Sequence, residues 1–334
     1  MQIQLWHGMV PDISHPVPSK GIENRQGQSE SVAILLCTLN GARFLPQQLA
    51  SFDSQNFRDW RLFVSDDGSE DRTLALLADF QKKHGPSRVD IRRGPGKGFA
   101  TNFLSLICDP TVASNYYALS DQDDIWDANK LARARTVLMN ARPDVPSVYC
   151  SRTHLISDEG IELGLSAAFK KPPDFRNALV QCIAGGNTMV LNKAARNLLM
   201  KAGPKVNVVS HDWWIYLATT AVGGRIFYDP LPTVAYRVHV GNLIGSNRSF
   251  GGHVRRLKMI WRGRFKTWGD LNILALESIQ DVMLEENKKT LEQFRRFRNL
   301  GLLPRVCGLV RSRLYRQTTL GNIGLMFAAI FKRI

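Results

Sequence analysis

Short apolar runs alternate with segments of helical period over the first half of the chain. SVAILLCTLN (31–40) closes on Asn40-Gly41, the pattern of a buried strand meeting a loop. ARFLPQQLASFDSQ follows, with Phe44, Leu45, Gln48, Leu49 and Phe52 at helical spacing. WRLFVSDDGS predicts a second strand ending in Asp66, Asp67 and Gly68, and EDRTLALLADFQKKHG a helix stopped by Gly85-Pro86. RVDIRRGPGKG reads as a short strand running into a glycine-rich loop, FATNFLSLIC as a helix and YYALSDQDD as a further strand. DANKLARARTVLMNAR predicts a helix with Asp127 as its N-cap. This alternation predicts an α/β fold on a mainly parallel sheet with helices on both faces. In such sheets ligands collect beyond the carboxyl ends of the strands. Three predicted strands end in polar chemistry there: Thr38, then Asp66 and Asp67, then Asp121, Asp123 and Asp124.

The second half is less regular. SVYCSRTHLISDEG predicts a hairpin-like pair of short strands, followed by a linker carrying Pro172 and Pro173. CIAGGNTMVLNKAARNLLM reads as a glycine loop and strand leading to a helix, and SHDWWIYLATTAVGG as a helix running from N-cap Ser210 to Gly223-Gly224. RIFYDPLPTVAYRVHVGNLIG predicts two strands broken by prolines, and beyond Gly251 the pattern is helical and basic.

With 334 residues there is room for one large domain or two modest ones, and 44% apolar with 22% charged residues is ordinary for a soluble globular chain. Residues 1–30, with Pro11, Pro16, Pro18, Gly21 and Gly27, predict a flexible extension without the pattern of a secretory signal. No stretch reaches the roughly 20 apolar residues that cross a bilayer. The five cysteines are odd in number and lack metal-type spacing, which predicts buried thiols in a reducing compartment. Charge changes the picture more. Residues 251–334 hold 17 Lys and Arg against 6 Asp and Glu, +11 of the chain's +15. A basic tail on a near-neutral body predicts an anionic partner: a membrane, a phosphorylated lipid or a nucleic acid.

Against that charge the acidic cluster at Asp121, Asp123 and Asp124 is either a solvated acidic loop leading into the next helix or, as the favoured reading, the seat of a cation. Two hard carboxylates one residue apart can reach one Mg2+ or Mn2+, which also takes phosphate oxygens. Asp66-Asp67-Gly68 is either an Asp-Gly turn or a carboxylate that accepts from the imide N–H of a pyrimidine. Residues 94–98 (GPGKG) are not a P-loop, and are either a flexible connection or a phosphate-facing loop with Lys97 or Arg93 towards a diphosphate. Asp212 sits in the first turn of a helix, where it serves the helix dipole or acts as a general base. Trp213 and Trp214 belong to the core or stack on a sugar ring. Arg237 and His239 follow a strand, and a chain folding back to the acidic cluster would make them a diphosphate contact and a metal ligand. Basic residues interleaved with aromatics between Arg255 and Trp268 suit a membrane surface or a nucleic acid.

The motifs occur in a familiar order: Thr38-Leu39-Asn40-Gly41, Asp66-Asp67-Gly68-Ser69, Gly98 with Asn102-Phe103, Asp121-Gln122-Asp123-Asp124, Gly185-Gly186-Asn187, His211-Asp212-Trp213-Trp214, and Tyr236-Arg237 with His239. In this the chain resembles the family 2 inverting glycosyltransferases of GT-A fold, and within them the bacterial rhamnosyltransferase branch. The resemblance covers residues 31–250. It implies a GT-A, Rossmann-like domain over 31–250, followed by a basic helical region over 251–334 that associates with membrane or acceptor. It implies that Thr38 and Asp67 hold the base of a nucleotide-sugar, with Asn40, Asp66, Lys97, Asn102, Asp121 and Arg237 as further contacts. It also implies that Asp121 and Asp123, with His239, hold Mg2+ or Mn2+, that Asp212 is the general base, and that Gly186, Trp213 and Trp214 meet the acceptor. His211 departs from the Glu-Asp spelling of many relatives, and the Q-x-x-R-W motif of processive relatives is missing.

The donor implied is dTDP-rhamnose, with a UDP-hexose or UDP-N-acetylhexosamine as the alternative. The implied acceptor is a lipid-linked saccharide, met at the cytoplasmic face of the plasma membrane. Nucleic acid is the least favoured partner, because the acidic cluster and near-neutral body repel phosphate.

Overall fold

The computed structural model describes residues 31–238 and 264–334. The expected flexible extension, His239, and Arg255 to Arg262 of the basic run lie outside the described residues. In chain order the first half comprises β1 (Val32–Thr38), α1 (Leu45–Asp53), β2 (Trp60–Asp66), α2 (Thr73–His84), β3 (Val89–Arg93), α3 (Phe99–Ile107), β4 (Tyr116–Ser120), β5 (Ile125–Trp126) and α4 (Lys130–Met139). Then come β6 (Ser147–Ile156), β7 (Glu162–Leu165), α5 (Phe175–Ala178), β8 (Val190–Asn192), α6 (Lys193–Ala202), α7 (His211–Ala221) and β9 (Arg225–Arg237). Four helices close the described chain: α8 (Arg264–Glu277), α9 (Glu285–Arg298), α10 (Leu302–Ser312) and α11 (Thr319–Ile330).

The sheet runs β3-β2-β1-β4-β8-β6-β9-β5, with β7 on β6. β1 is parallel to β2 and β4, and β2 to β3, as the strand–helix alternation requires. β8 then enters antiparallel, and β6 and β9 run parallel to each other. Every residue of β1 is buried, because helices cover both faces of the sheet. One core layer gathers Leu35, Phe63, Phe103 and Trp214, and the other Ile34, Phe52, Leu62 and Trp126.

Three local expectations are corrected. SVYCSRTHLI is one ten-residue strand, β6, rather than a pair of short ones, and its antiparallel partner β7 follows only at Glu162. β9 is one continuous strand rather than two, since Pro230 and Pro232 fall at a shift in its register with β6, between Ser151↔Asp229 and Arg152↔Pro232. A bulge asks no ladder bond of a proline. α4 starts at Lys130 with Asn129 in the cap position, and Asp127 instead donates its backbone N–H to Thr233 O (3.0 Å).

The C-terminal helices pack into the same core as the sheet. Ile273, Leu276, Phe294, Leu309 and Ala329 join Trp213 and Leu217 in one cluster, and the Trp213 and Trp268 rings meet edge to face at 6.0 Å. Among the described residues no helix is long and apolar enough to cross a membrane. The five cysteines are unpaired, but only Cys37 and Cys150 are buried; Cys108 and Cys182 are half-buried and Cys307 is exposed.

Candidate active site

Parallel register brings the chemistry to one edge. Thr38 pairs with Asp66 across β1 and β2, Asp66 with Arg93 across β2 and β3, and Leu36 with Ser120 across β1 and β4. The segments 38–41, 66–69, 94–98 and 121–124 therefore leave the sheet side by side, as strand-end convergence predicts.

Within this edge the two adjacent carboxylates divide their work. Asp66 is buried and satisfied internally, accepting from Thr38 Oγ1 (2.7 Å), Ser69 N (2.8 Å) and Ser69 Oγ (2.6 Å). Its expected donor contact is thus replaced by a structural one, which rivets β1 to β2. Asp67 faces outward and accepts from Gly96 N (2.7 Å) and Gly98 N (2.9 Å), drawing in the glycine loop. Gly96 and Gly98 have φ of +67° and +88°, a backbone only glycine adopts cheaply. Lys97 lies exposed between them. Asn40 holds the neighbouring turn, accepting from Glu70 N (2.8 Å). Asn102 is buried and exchanges hydrogen bonds with Ser65 (2.5 and 2.9 Å), so its side chain pins α3 to β2.

The acidic loop is locked from two sides. Gln122 pairs with the Leu39 backbone, accepting from its N–H (2.9 Å) and donating to its carbonyl (3.0 Å), as a neighbouring strand would. Gly41 makes this possible, since a Cβ there would fall 2.2 Å from Gln122 Oε1. From behind, Arg237 donates to the carbonyls of Asp123 (3.0 Å), Ser157 (3.1 Å) and Asp158 (2.8 Å) and to Gln47 Oε1. Arg237 is 1% exposed, so the guanidinium expected on the diphosphate is instead a buried strut under the loop.

The electrostatics of the loop are unbalanced. Burial and then the charges of Asp124, Asp123 and Asp212 push the Asp121 carboxyl well above the usual range. Asp124 has no exposed surface and accepts from Asn187 Nδ2 (2.5 Å) and Arg237 N (3.2 Å); burial and Asp123 push it up to about 7. The compensating group is Lys130, which sequence reasoning missed. It is fully buried over the Trp126 ring at 3.6 Å and donates to Asn187 O; burial pushes its pKa well below the ordinary lysine value, a shift that Asp124, Asp121 and Asp127 oppose. Only its place in the first turn after the acidic loop hinted at the role.

Asp212 opens α7 and accepts from Trp213 N (2.7 Å). Its charge helps to raise the Asp121 carboxyl, so the two carboxylates are near neighbours. The departure at His211 now has a physical form. The imidazole stacks on Phe103 at 3.9 Å, meets Phe99 edge-on at 5.9 Å and lies in contact with Gly186, where a Cβ would sit 2.1 Å from Nε2. Neither ring nitrogen has a partner among the described residues, and burial pushes the pKa down to about 4. Gly186 thus makes room for His211. Trp213 and Trp214 also turn inward: Trp213 Nε1 donates to Ala178 O (2.7 Å), and Trp214 is wholly buried. A helix packed on the core at this point leaves neither ring a face for a saccharide.

Residues 33–199 match the profile of glycosyl transferase family 2. The chain belongs to that family. This glycosyltransferase is 28% identical over 239 residues to the dTDP-rhamnosyl transferase RfbG of Shigella flexneri, spanning 67% of this chain and 78% of that one. It is 25% identical over 167 residues to the UDP-Glc:alpha-D-GlcNAc-diphosphoundecaprenol beta-1,3-glucosyltransferase WfgD of Escherichia coli, spanning 50% and 62%. The structure of GalNAc-T7 with UDP, GalNAc and Mn2+ superimposes with a TM-score of 0.50 at 12% identity, covering 89% of this chain and 53% of that one. That likeness bears on fold alone, which is the GT-A fold expected from the motifs.

The residues fit a divalent cation by their chemistry. Asp121 and Asp123 are hard oxygen donors, and the crowding that raises Asp121 is what a cation would relieve. Among the described residues no three His, Cys, Asp or Glu side chains converge as a full ligand set, so protein donors would share the ion with ligand oxygens. His239 lies outside the described residues.

Proposed function

We propose that this family 2 glycosyltransferase is an inverting enzyme that moves L-rhamnose from dTDP-rhamnose to a lipid-linked saccharide of a surface polysaccharide. The observation that supports the mechanism is the nearness of Asp212, in the first turn of α7, to Asp121, whose carboxyl its charge helps to raise. Asp212 takes the proton of the acceptor hydroxyl as the glycosidic bond forms, because a neutral hydroxyl is a poor nucleophile. A single base on one side of the anomeric carbon and a leaving diphosphate on the other is the arrangement for inversion. Asn40 and Asp67 would meet the pyrimidine and ribose, Asp67 exchanging its glycine-loop bonds for the base, while Thr38, buried with its hydroxyl on Asp66, would support them from behind rather than touch the base. Lys97, exposed on that loop, is placed for the diphosphate.

Asp121 and Asp123 would hold Mg2+ or Mn2+, which neutralises charge on the leaving diphosphate. The donor assignment draws on the likeness to RfbG, and the lipid-linked acceptor on the likeness to WfgD. Such an acceptor places the enzyme on the cytoplasmic face of the plasma membrane. WfgD also supports a second reading, in which the donor is a UDP-hexose or UDP-N-acetylhexosamine.

The test is a donor panel of dTDP-rhamnose, UDP-glucose and UDP-N-acetylglucosamine, with released nucleoside diphosphate as readout, each with Mg2+, with Mn2+ and with EDTA. Turnover confined to dTDP-rhamnose and abolished by EDTA is expected. Turnover of only a UDP-sugar selects the second reading, and undiminished turnover in EDTA removes the metal.

A further inference from the structure

The last helices carry apolar surface that the core does not use. On α11, Leu320, Ile323, Phe327 and Ile330 stand at intervals of three and four residues and are 39–57% exposed, while Leu325, Ala328 and Ala329 of the same helix are buried in the core. A helix of a soluble body shows one apolar face; this one shows two. Phe331 extends the exposed stripe and stacks on Phe327 at 6.1 Å. The neighbouring α10 adds Leu302, Leu303 and Val310, the last two 76% and 62% exposed.

Arg305 joins the two helices. It is buried and donates to Ala329 O (2.5 Å), Ile330 O (3.1 Å) and Leu300 O (2.6 Å), closing the C-terminal end of α11 against the start of α10. The exposed leucines at the start of α10 therefore lie near the aromatic end of α11.

Charge selects the occupant. From Gln293 to the C-terminus the chain has nine Lys and Arg and no Asp or Glu. Arg311, Arg313, Lys332 and Arg333 are exposed at the ends of the two helices. α11 itself has no charged residue. A second copy would bring the same positive charge onto this face and be repelled. An apolar stripe flanked only by cations matches the boundary between acyl chains and anionic headgroups.

We propose that the α10–α11 hairpin is a membrane-docking face, with Leu320, Ile323, Phe327 and Phe331 entering an anionic lipid bilayer and Arg311, Arg313, Lys332 and Arg333 meeting its headgroups. Twelve residues at 1.5 Å rise make α11 about 18 Å long, so it lies in the interface and does not cross. This face is defined without reference to the sugar transferred.

The test is co-sedimentation of the full chain with vesicles of phosphatidylcholine alone and with 30% phosphatidylglycerol, at low and high salt (about 0.05 and 0.5 M). Binding to the anionic vesicles that weakens at least tenfold at high salt is expected. Ile323→Asn with Phe327→Asn should lower partitioning by tenfold or more, while Leu163→Asn, which changes an exposed residue of β7, should leave it unchanged. Thermal melting and donor hydrolysis of each variant show whether it is folded. Arg311→Gln with Arg313→Gln keeps the apolar stripe and should weaken anionic binding alone. Equal binding by the folded Ile323→Asn, Phe327→Asn variant and the parent overturns the proposal. So does a concentration-dependent dimer that the same variant abolishes while no vesicle is bound.

Discussion

His211 offers the sharpest test of how the site is built. Its ring is 4% exposed, stacked on Phe103, and without a hydrogen-bond partner among the described residues, so the fold holds it neutral. Burial lowers its pKa from 6.5 to about 4, partly countered by Asp212. Such a group contributes stability above its unfolded pKa, and that contribution is lost as pH falls from about 6.5 towards 4. For a single site with these values, folding is weaker by about 2 kcal/mol at pH 5 than at pH 7.5. Asp124 acts in the opposite sense. Its carboxyl is pushed up to about 7, so its contribution is present below about 4 and lost as pH rises through 7. A raw wild-type curve mixes the two, and the comparison with His211→Leu separates them. Urea unfolding followed by tryptophan fluorescence at pH 7.5 and 5 is the assay. At pH 7.5 the variant should fall within about 1 kcal/mol of wild type, since two unpaired buried nitrogens go and a small void appears. At pH 5 it should gain about 2 kcal/mol relative to wild type. An identical pH dependence in the two proteins would refute the buried neutral imidazole.

Asp212→Asn should cut sugar transfer by a factor of about 100 to 10,000 with donor KM and melting temperature little changed, as steady-state kinetics would read. Lys130→Met removes the buried amine beside the acidic loop and its hydrogen bond to Asn187 O, and should cost about 1–3 kcal/mol in urea unfolding at pH 8. Gly186→Ala forces a methyl onto the His211 ring and should cost about 1–3 kcal/mol, a loss that His211→Ala in the same chain largely restores.

Much of this was legible in residue order. Apolar runs alternating with helical periods specify β1 to β4 and α1 to α4, because periodicity is a local property of which faces are covered. The acidic cluster, Asp67 and Asp212 could be named as chemistry because each ends a strand or starts a helix, where polar side chains have few packing duties. The expectation failed where one residue type serves two ends. Arg237, Asn102 and Asp66 carry functional groups a ligand would want, yet each is buried and spent on backbone or neighbouring side chains. Pro230 and Pro232 break strands by propensity, but a register shift against β6 absorbs them.

Sequence alone determined the strand ends and the acidity gathered there, since those depend on neighbours in the chain. Only the tertiary structure decided which charges face the cleft and which carry it. The partners that settle this are distant: Lys130 lies under Asp124, Arg237 under the Asp123 carbonyl, Gln122 beside Leu39, and His211 against Gly186. Burial sets the energy of each of these polar groups, and burial is a property of the packed chain, not of any segment of it.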